Sequence, residues 1–193
     1  MVARKGIKLV IADLDGTLVK TKINWDEIRR KVRSVLGISA SAPLRPLATA
    51  LYTYYRSYKG FIKALMIVEE AELKSVRDAE FHAELPKVLS NVRAEGIKVA
   101  IVTLRSWRTA KPLLDKLGII KLIDMIVTRD VAVDRRSQLL EVLRKLNLNS
   151  HEALFIGDWE GDFIAGISLG IKTFIVKDFN ETIDLLVKLT SIK

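Results

Sequence analysis

The chain has 193 residues, 49% of them hydrophobic and 28% charged, with a formal net charge of +9 and no cysteine. That length suits one medium domain, or a core with a modest insertion, and that apolar content excludes a disordered chain. Disulfides, thiolate metal sites and cysteine nucleophiles are excluded outright, and no apolar run approaches the ~18 residues a membrane span needs.

The basic excess is spread along the chain rather than gathered in one stripe, so no specific nucleic-acid site is expected. Arg4, Lys5 and Lys8 lead straight into an apolar run without the pattern of a signal peptide. A cytoplasmic location is the expectation.

Ile7, Leu9, Val10 and Ile11 predict a buried strand of a parallel sheet. The strand runs into Asp13-Leu14-Asp15-Gly16-Thr17-Leu18, two carboxylates one residue apart and then a glycine for a sharp turn. Asp13 thus sits at the carboxyl end of a strand, where open α/β sheets bind their ligands. Carboxylates this close repel unless a cation or a proton joins them. The run therefore points to a bound metal or a shifted pKa.

Residues 25–36 are amphipathic at helical spacing and stop at Gly37. Their basic run, Arg29-Arg30-Lys31-Val32-Arg33, is expected to be a solvated face opposite Ile28, Val32, Val35 and Leu36, with a binding patch for an anion as the alternative. Residues 47–58 predict a second helix, rich in tyrosine, whose aromatic rings we assign to packing. Residues 62–71 and 72–83 predict two more helices, and no strand pattern occurs between 19 and 84.

From Leu85 onward, helix and strand alternate. Helices are predicted at 86–94, 109–117, 137–146, 163–169 and 183–189. Strands are predicted at 98–103, 123–128, 153–157 and 172–176. Such alternation predicts an α/β fold with a doubly wound, parallel, five-stranded sheet. Residues 1–18 and 85–193 form its discontinuous core, and 19–84 is an inserted helical domain. His82 and His151 lie outside every motif and are expected at the surface.

Polar chemistry gathers at the strand ends: Asp13 with Asp15, Thr103, the pair Arg135-Arg136, and Asp158 with Asp162. With these motifs in this order, the chain closely resembles the haloacid dehalogenase-like (HAD) hydrolase superfamily. Asp13-Leu14-Asp15-Gly16-Thr17 resembles its first motif, Val99-Ala100-Ile101-Val102-Thr103 its second, and Gly157-Asp158-Trp159-Glu160-Gly161-Asp162 its acidic fourth. The insertion resembles the helical cap of the phosphoglycolate-phosphatase-like branch, a lid that would exclude water and select the substrate.

The resemblance implies a magnesium-dependent phosphatase acting on a small phosphorylated metabolite. Asp13 would be the nucleophile that forms an aspartyl-phosphate, and Asp15 the general acid and base. Asp13, Asp158 and the Asp15 carbonyl would hold Mg2+, with Asp162 in support. Thr103 and the Leu104 N–H would bind a phosphoryl oxygen. Two positions depart from the family pattern. Leu104 stands where Asn often follows the second motif, and Asp134-Arg135-Arg136-Ser137 replaces the Lys-Pro of the third. Arg135 is expected to supply that cation, with Arg136 as the neighbouring alternative. A phosphomutase on the same fold, or a binding protein without turnover, are the rival expectations.

Overall fold

The first apolar run forms strand β1 (Leu9–Asp13), buried along its whole length. Four strands join it, all parallel: β2 (Lys98–Val102), β3 (Met125–Val127), β4 (Ala153–Gly157) and β5 (Lys172–Ile175). In this computed structural model, which describes residues 6–191, the sheet order is β3-β2-β1-β4-β5. The expected doubly wound α/β architecture is thus present.

Alternation along each strand sends side chains to opposite faces. Leu9 and Ile11 pack with Phe155 beneath α6 (Arg135–Leu146) and α7 (Glu160–Ser168). Val10 and Ala12 join the other layer, under α4 (Leu85–Ala94), α5 (Trp107–Leu117) and α8 (Phe179–Ser191).

Between β1 and α4 lie α1 (Trp25–Leu36), α2 (Leu47–Tyr54) and α3 (Phe61–Ser75). Asn24 caps α1 by accepting from the Glu27 N–H at 3.1 Å, and Gly37, at φ +65°, ends it. These three helices share an apolar cluster of their own, including Val32, Leu51, Ala64 and Val68. Tyr52 meets Phe61 edge-on at 5.4 Å, and Tyr55 is buried in the cluster.

The structure corrects several expected boundaries. Residues 62–83 do not make two helices: Phe61, Ala64 and Val68 continue one buried face, so α3 runs unbroken to Ser75. Beyond it the backbone leaves the helix, because it finds a strand-like partner. Lys20 and Glu80 exchange N–H to carbonyl bonds of 2.8 and 2.9 Å, an antiparallel bridge in a stretch where none was expected. That bridge fastens together the two connections between the helical segment and the sheet. Helix α2 ends at Tyr54 rather than 58, where a turn closed by the Tyr58 N–H on the Tyr55 carbonyl takes over.

Phe155 is the largest fully buried side chain and sits at the centre of one layer. Phe155→Ala is expected to lower unfolding stability by about 3–5 kcal/mol. Urea denaturation measures it, and a loss below about 1 kcal/mol would contradict the tight packing described.

Candidate active site

Sheet register decides which residues meet. Asp13 pairs with Val102, next to Thr103, and Ala12 pairs with Ile156, next to Gly157. The carboxyl ends of β1, β2 and β4 therefore converge where the strand order reverses.

Helix α6 adds a cation to that edge. Asp134 caps it, accepting from the Ser137 N–H at 2.9 Å, so the helix starts two residues earlier than its apolar pattern suggests. Arg135 is then the first helical residue. Side chains of a helix lean toward its N-terminus, which carries Arg135 back over the strand ends. Its Nε donates to Asp162 Oδ1 at 2.6 Å, Nη1 to Gln138 Oε1 at 2.7 Å, and Nη2 to Asp13 Oδ1. Arg136 is exposed. Geometry thus brings Arg135, not its neighbour, to the acidic cluster.

Oxygens of Asp13, Asp158 and Asp162 lie within 4.8 Å of one another. Two glycines make this closeness possible. A Cβ on Gly16, which adopts φ +84°, would fall 2.0 Å from Asp158 Oδ2, and one on Gly157 would fall 2.3 Å from Asp162 Oδ2. Burial raises the Asp13 pKa well above the carboxylate range. Arg135 offsets this only in part, and Asp162, Asp158 and Asp15 add to the rise. Burial, and then Asp162, pushes Asp158 up to about 6. Three carboxylates here face one guanidinium, an imbalance that suits a further cation bound through oxygen.

Asp15 looks elsewhere. Arg105 grips it with two parallel bonds, Nε to Oδ2 at 2.7 Å and Nη2 to Oδ1 at 2.8 Å, and the Thr21 hydroxyl donates to Oδ1 at 2.8 Å. The same guanidinium reaches the end of α3, donating to the Glu72 carbonyl and to Ser75 Oγ at 3.0 Å each. The Glu72 carboxylate turns inward as well. It accepts from Arg129 Nη1 at 2.6 Å and from the Thr109 hydroxyl at 2.7 Å. Burial raises the Glu72 pKa, with Arg129 the chief opposing influence.

Comparison with known proteins fits this geometry. The profile of the haloacid dehalogenase-like hydrolases matches residues 10–176. The chain belongs to this family. A phosphoglycolate phosphatase of Aquifex aeolicus is 30% identical over 188 residues, covering 86% of this chain and 83% of that one. A Clostridium perfringens protein described as the pyrophosphatase PpaX is 25% identical, over 89% of this chain and 84% of its own. Among solved structures, a Lactobacillus plantarum protein described as a phosphoglycolate phosphatase superposes with a TM-score of 0.68 at 17% identity. It covers 95% of this chain and 99% of its own.

In this haloacid dehalogenase-like hydrolase, a cleft of about 590 Å³ lies between the sheet edge and the helical segment. Asp13, Asp15, Thr103, Leu104, Arg135 and Asp158 all line it. Asp162 is fully buried behind them: it holds Arg135 through Oδ1 and accepts from the Asp158 N–H through Oδ2 at 3.3 Å. Thr103 accepts from the Arg105 N–H at 3.1 Å, and its carbonyl accepts from Gln138 Nε2 at 2.7 Å. The Leu104 carbonyl is taken by Arg129 Nη1 at 2.8 Å. Asp158 does not cap α7, whose N-cap is Trp159. Among the described residues, no helix is long and apolar enough to cross a membrane.

Sequence reasoning missed Arg105, Glu72 and Arg129. Each left a signal. Glu72 continues the buried row Ala64, Val68, an acid where an apolar residue belongs. Arg129 directly follows a buried threonine at a strand exit, Thr128, and Arg105 comes two residues after another, Thr103. The basic run on α1 also divides: Arg30 and Lys31 are exposed, but the Arg29 side chain is only 12% exposed. It lies on the cleft side of the helix.

Removing one partner of a buried pair leaves the other charge uncompensated. Glu72→Ala is therefore expected to cost about 3–5 kcal/mol of unfolding stability. Glu72→Gln, which keeps an oxygen for Arg129, should cost less. Equal losses in thermal or urea unfolding would show that the ion pair is not what matters.

Proposed function

We propose that this chain is a magnesium-dependent phosphatase that hydrolyses a small phosphate monoester through an aspartyl-phosphate on Asp13. The observation that carries the reading is the meeting of Asp13, Asp158 and Arg135 at the carboxyl edge of the sheet, beside a cleft. Its relatives named as phosphoglycolate phosphatases support the reaction class.

An all-oxygen donor set with excess negative charge fits a hard divalent cation. Asp13, Asp158 and the Asp15 carbonyl would hold it, and when bound it would neutralise phosphate charge and so admit an anionic nucleophile.

The remaining work falls to this chain's own residues. Arg135 takes one lone pair of Asp13 Oδ1, which leaves that oxygen's second lone pair for the cation and the other oxygen to attack phosphorus. The ester P–O bond breaks as the Asp13–phosphorus bond forms, and Asp15, once turned from the Arg105 fork toward the cleft and carrying a proton, gives it to the leaving alkoxide. Asp15 then takes a proton from water, and that water displaces phosphate from Asp13. The Thr103 hydroxyl, the Leu104 N–H and Arg135 stabilise the phosphoryl oxygens during both transfers. The helical segment closes the cleft as a cap, keeps bulk water out and selects the substrate.

Phosphate release from para-nitrophenyl phosphate tests this reading. Chelation should abolish turnover, magnesium should restore it, and calcium should restore it poorly. Asp13→Asn should be inactive yet folded. Full activity after exhaustive chelation, or multiple turnovers by Asp13→Asn, would sink the mechanism.

Arg135→Ala should lower kcat by roughly 10²-fold or more, as loss of a charge-stabilising donor does. Arg135→Lys should recover part of that loss, and Arg136→Ala should have little effect. Activity retained in Arg135→Ala, at unchanged protein concentration and fold, would remove the arginine from the reaction.

A further inference from the structure

Two tryptophans border the cleft, and the phosphatase chemistry uses neither. Trp25 begins α1 and packs, half-buried, against the apolar cluster of the helical segment. Trp159 follows Asp158 directly and enters the same cleft from the sheet edge, as the N-cap of α7. Pro46, Leu47 and Val68 add apolar lining from the helical segment. Most of that segment's charged groups at the cleft are turned to other partners. Glu72 meets Arg129 and Thr109. Arg29 and Arg45 meet Asp26 at 2.7 and 3.5 Å, in a separate pocket at the surface. Lys20 is solvent-exposed.

Trp159 is set in place by the backbone beneath it. A Cβ on Gly161 would fall 2.2 Å from Cζ2 and Cη2 of the indole, so a glycine there lets the ring rest on the first turn of α7. Glycine is a poor helix former, and a larger residue at 161 would displace the ring. The indole nevertheless stays 42% exposed. A lone exposed aromatic is ordinary on a protein surface. An aromatic seated on a glycine, inside a concavity that a second tryptophan also lines, matches the make-up of a small-molecule site. The cleft volume of about 590 Å³ also falls among pockets of about 300–1,000 Å³ that take drug-sized molecules. A phosphate with only a short polar tail would leave most of that space, and the indole, to water.

We propose that Trp159, with Trp25 on the helical segment, forms a stacking surface for the leaving group of the substrate. The proposal rests on the phosphatase reading and names its substrate class: a phosphate monoester whose alcohol carries a planar aromatic ring. The phosphate meets Asp13 and Arg135, and the ring lies against the Trp159 indole. Because Trp159 adjoins Asp158, a short link between phosphate and ring is enough to reach it. Offset or edge-on contact between rings favours a planar group over a saturated one of equal size, beyond the area that both bury.

The test uses three phosphates of alcohols with similar acidity: ethyl, cyclohexylethyl and phenethyl phosphate. Matched leaving groups keep the chemical step comparable, and the two ring compounds differ in planarity at nearly equal size. With the wild-type chain and magnesium, kcat/KM for phenethyl phosphate should exceed that for ethyl phosphate by about 10–100-fold, and that for the cyclohexyl compound several-fold. Trp159→Leu, which keeps apolar bulk without a ring, should bring the phenyl-to-cyclohexyl ratio close to one, chiefly through KM of the phenyl compound. Trp159→Phe should restore part of the ratio, and Trp25→Leu should lower it. Trp107→Leu removes an indole that is 43% exposed but outside the cleft lining, and should keep the wild-type ratio. Ratios taken within one protein cancel any general loss of folded or metal-loaded enzyme. A wild-type phenyl-to-cyclohexyl ratio near one, or a ratio that Trp159→Leu leaves unchanged, would overturn the stacking surface. Should none of the probes be turned over, the same ratios are measured as calorimetric Kd. Discrimination in Kd without turnover counts against the phosphatase reading alone. Turnover without discrimination counts against the stacking surface alone, and the absence of both counts against both.

Discussion

Negative charge is crowded at one edge of this sheet, and much of the surrounding structure answers to it. Three carboxylates with oxygens within 4.8 Å of one another, two of them buried, could not persist on packing alone. Arg135 relieves part of the repulsion by lying between Asp13 and Asp162. It reaches that place only because Asp134 starts α6 where it does, and because Gly16 and Gly157 let backbone approach carboxylate. A residual excess of acid persists at Asp13 and Asp158, whose pKa values are raised. That residue of charge is what a divalent cation, and then a phosphate dianion, would use. Structural necessity and proposed chemistry meet in the same atoms.

A second buried network ties the helical segment to this edge. Arg105 holds Asp15 and the end of α3 with one guanidinium, and Glu72 enters the core layer to meet Arg129. The position of α3 and the direction of the Asp15 carboxylate are therefore mechanically linked, because a rigid planar fork cannot serve both without fixing their separation. Backbone bonds between Lys20 and Glu80 add a second tie nearby.

Most of the sheet was legible from sequence, since buried parallel strands are continuous apolar runs and glycines mark where the chain turns. Asp13, Thr103 and Asp158 were legible for the same reason: each follows such a run directly. Helix beginnings were less so. Apolar periodicity dates a helix from its first core contact, whereas α6 and α7 begin earlier, at Arg135 and Glu160. The network of Arg105, Glu72 and Arg129 was missed because charged residues read as surface. Its partners are separated by 33 and 57 residues, and no local pattern announces a pairing at that range. Arg29 misled similarly: a basic run reads as one solvated face, but adjacent positions of a helix point to different neighbours, so Arg29 turns to the cleft side while Arg30 and Lys31 stay exposed.

The arginine at position 135 also explains a glutamine. Gln138, the only glutamine in the chain, sits one turn further along α6 and is fully buried. Its oxygen accepts from Arg135, and its amide nitrogen donates to the carbonyls of Thr103 and Ala132 at 2.7 and 2.9 Å. Every polar atom of that amide is used, which is the condition for burying one at little cost. An ammonium in place of the guanidinium would present a point charge rather than a fork. It would have to reach Asp13, Asp162 and Gln138 from one atom, where Arg135 uses three nitrogens. The fork thus does two things together. It sets the spacing between two acids that repel, and through Gln138 it fixes the end of β2, where Thr103 faces the cleft.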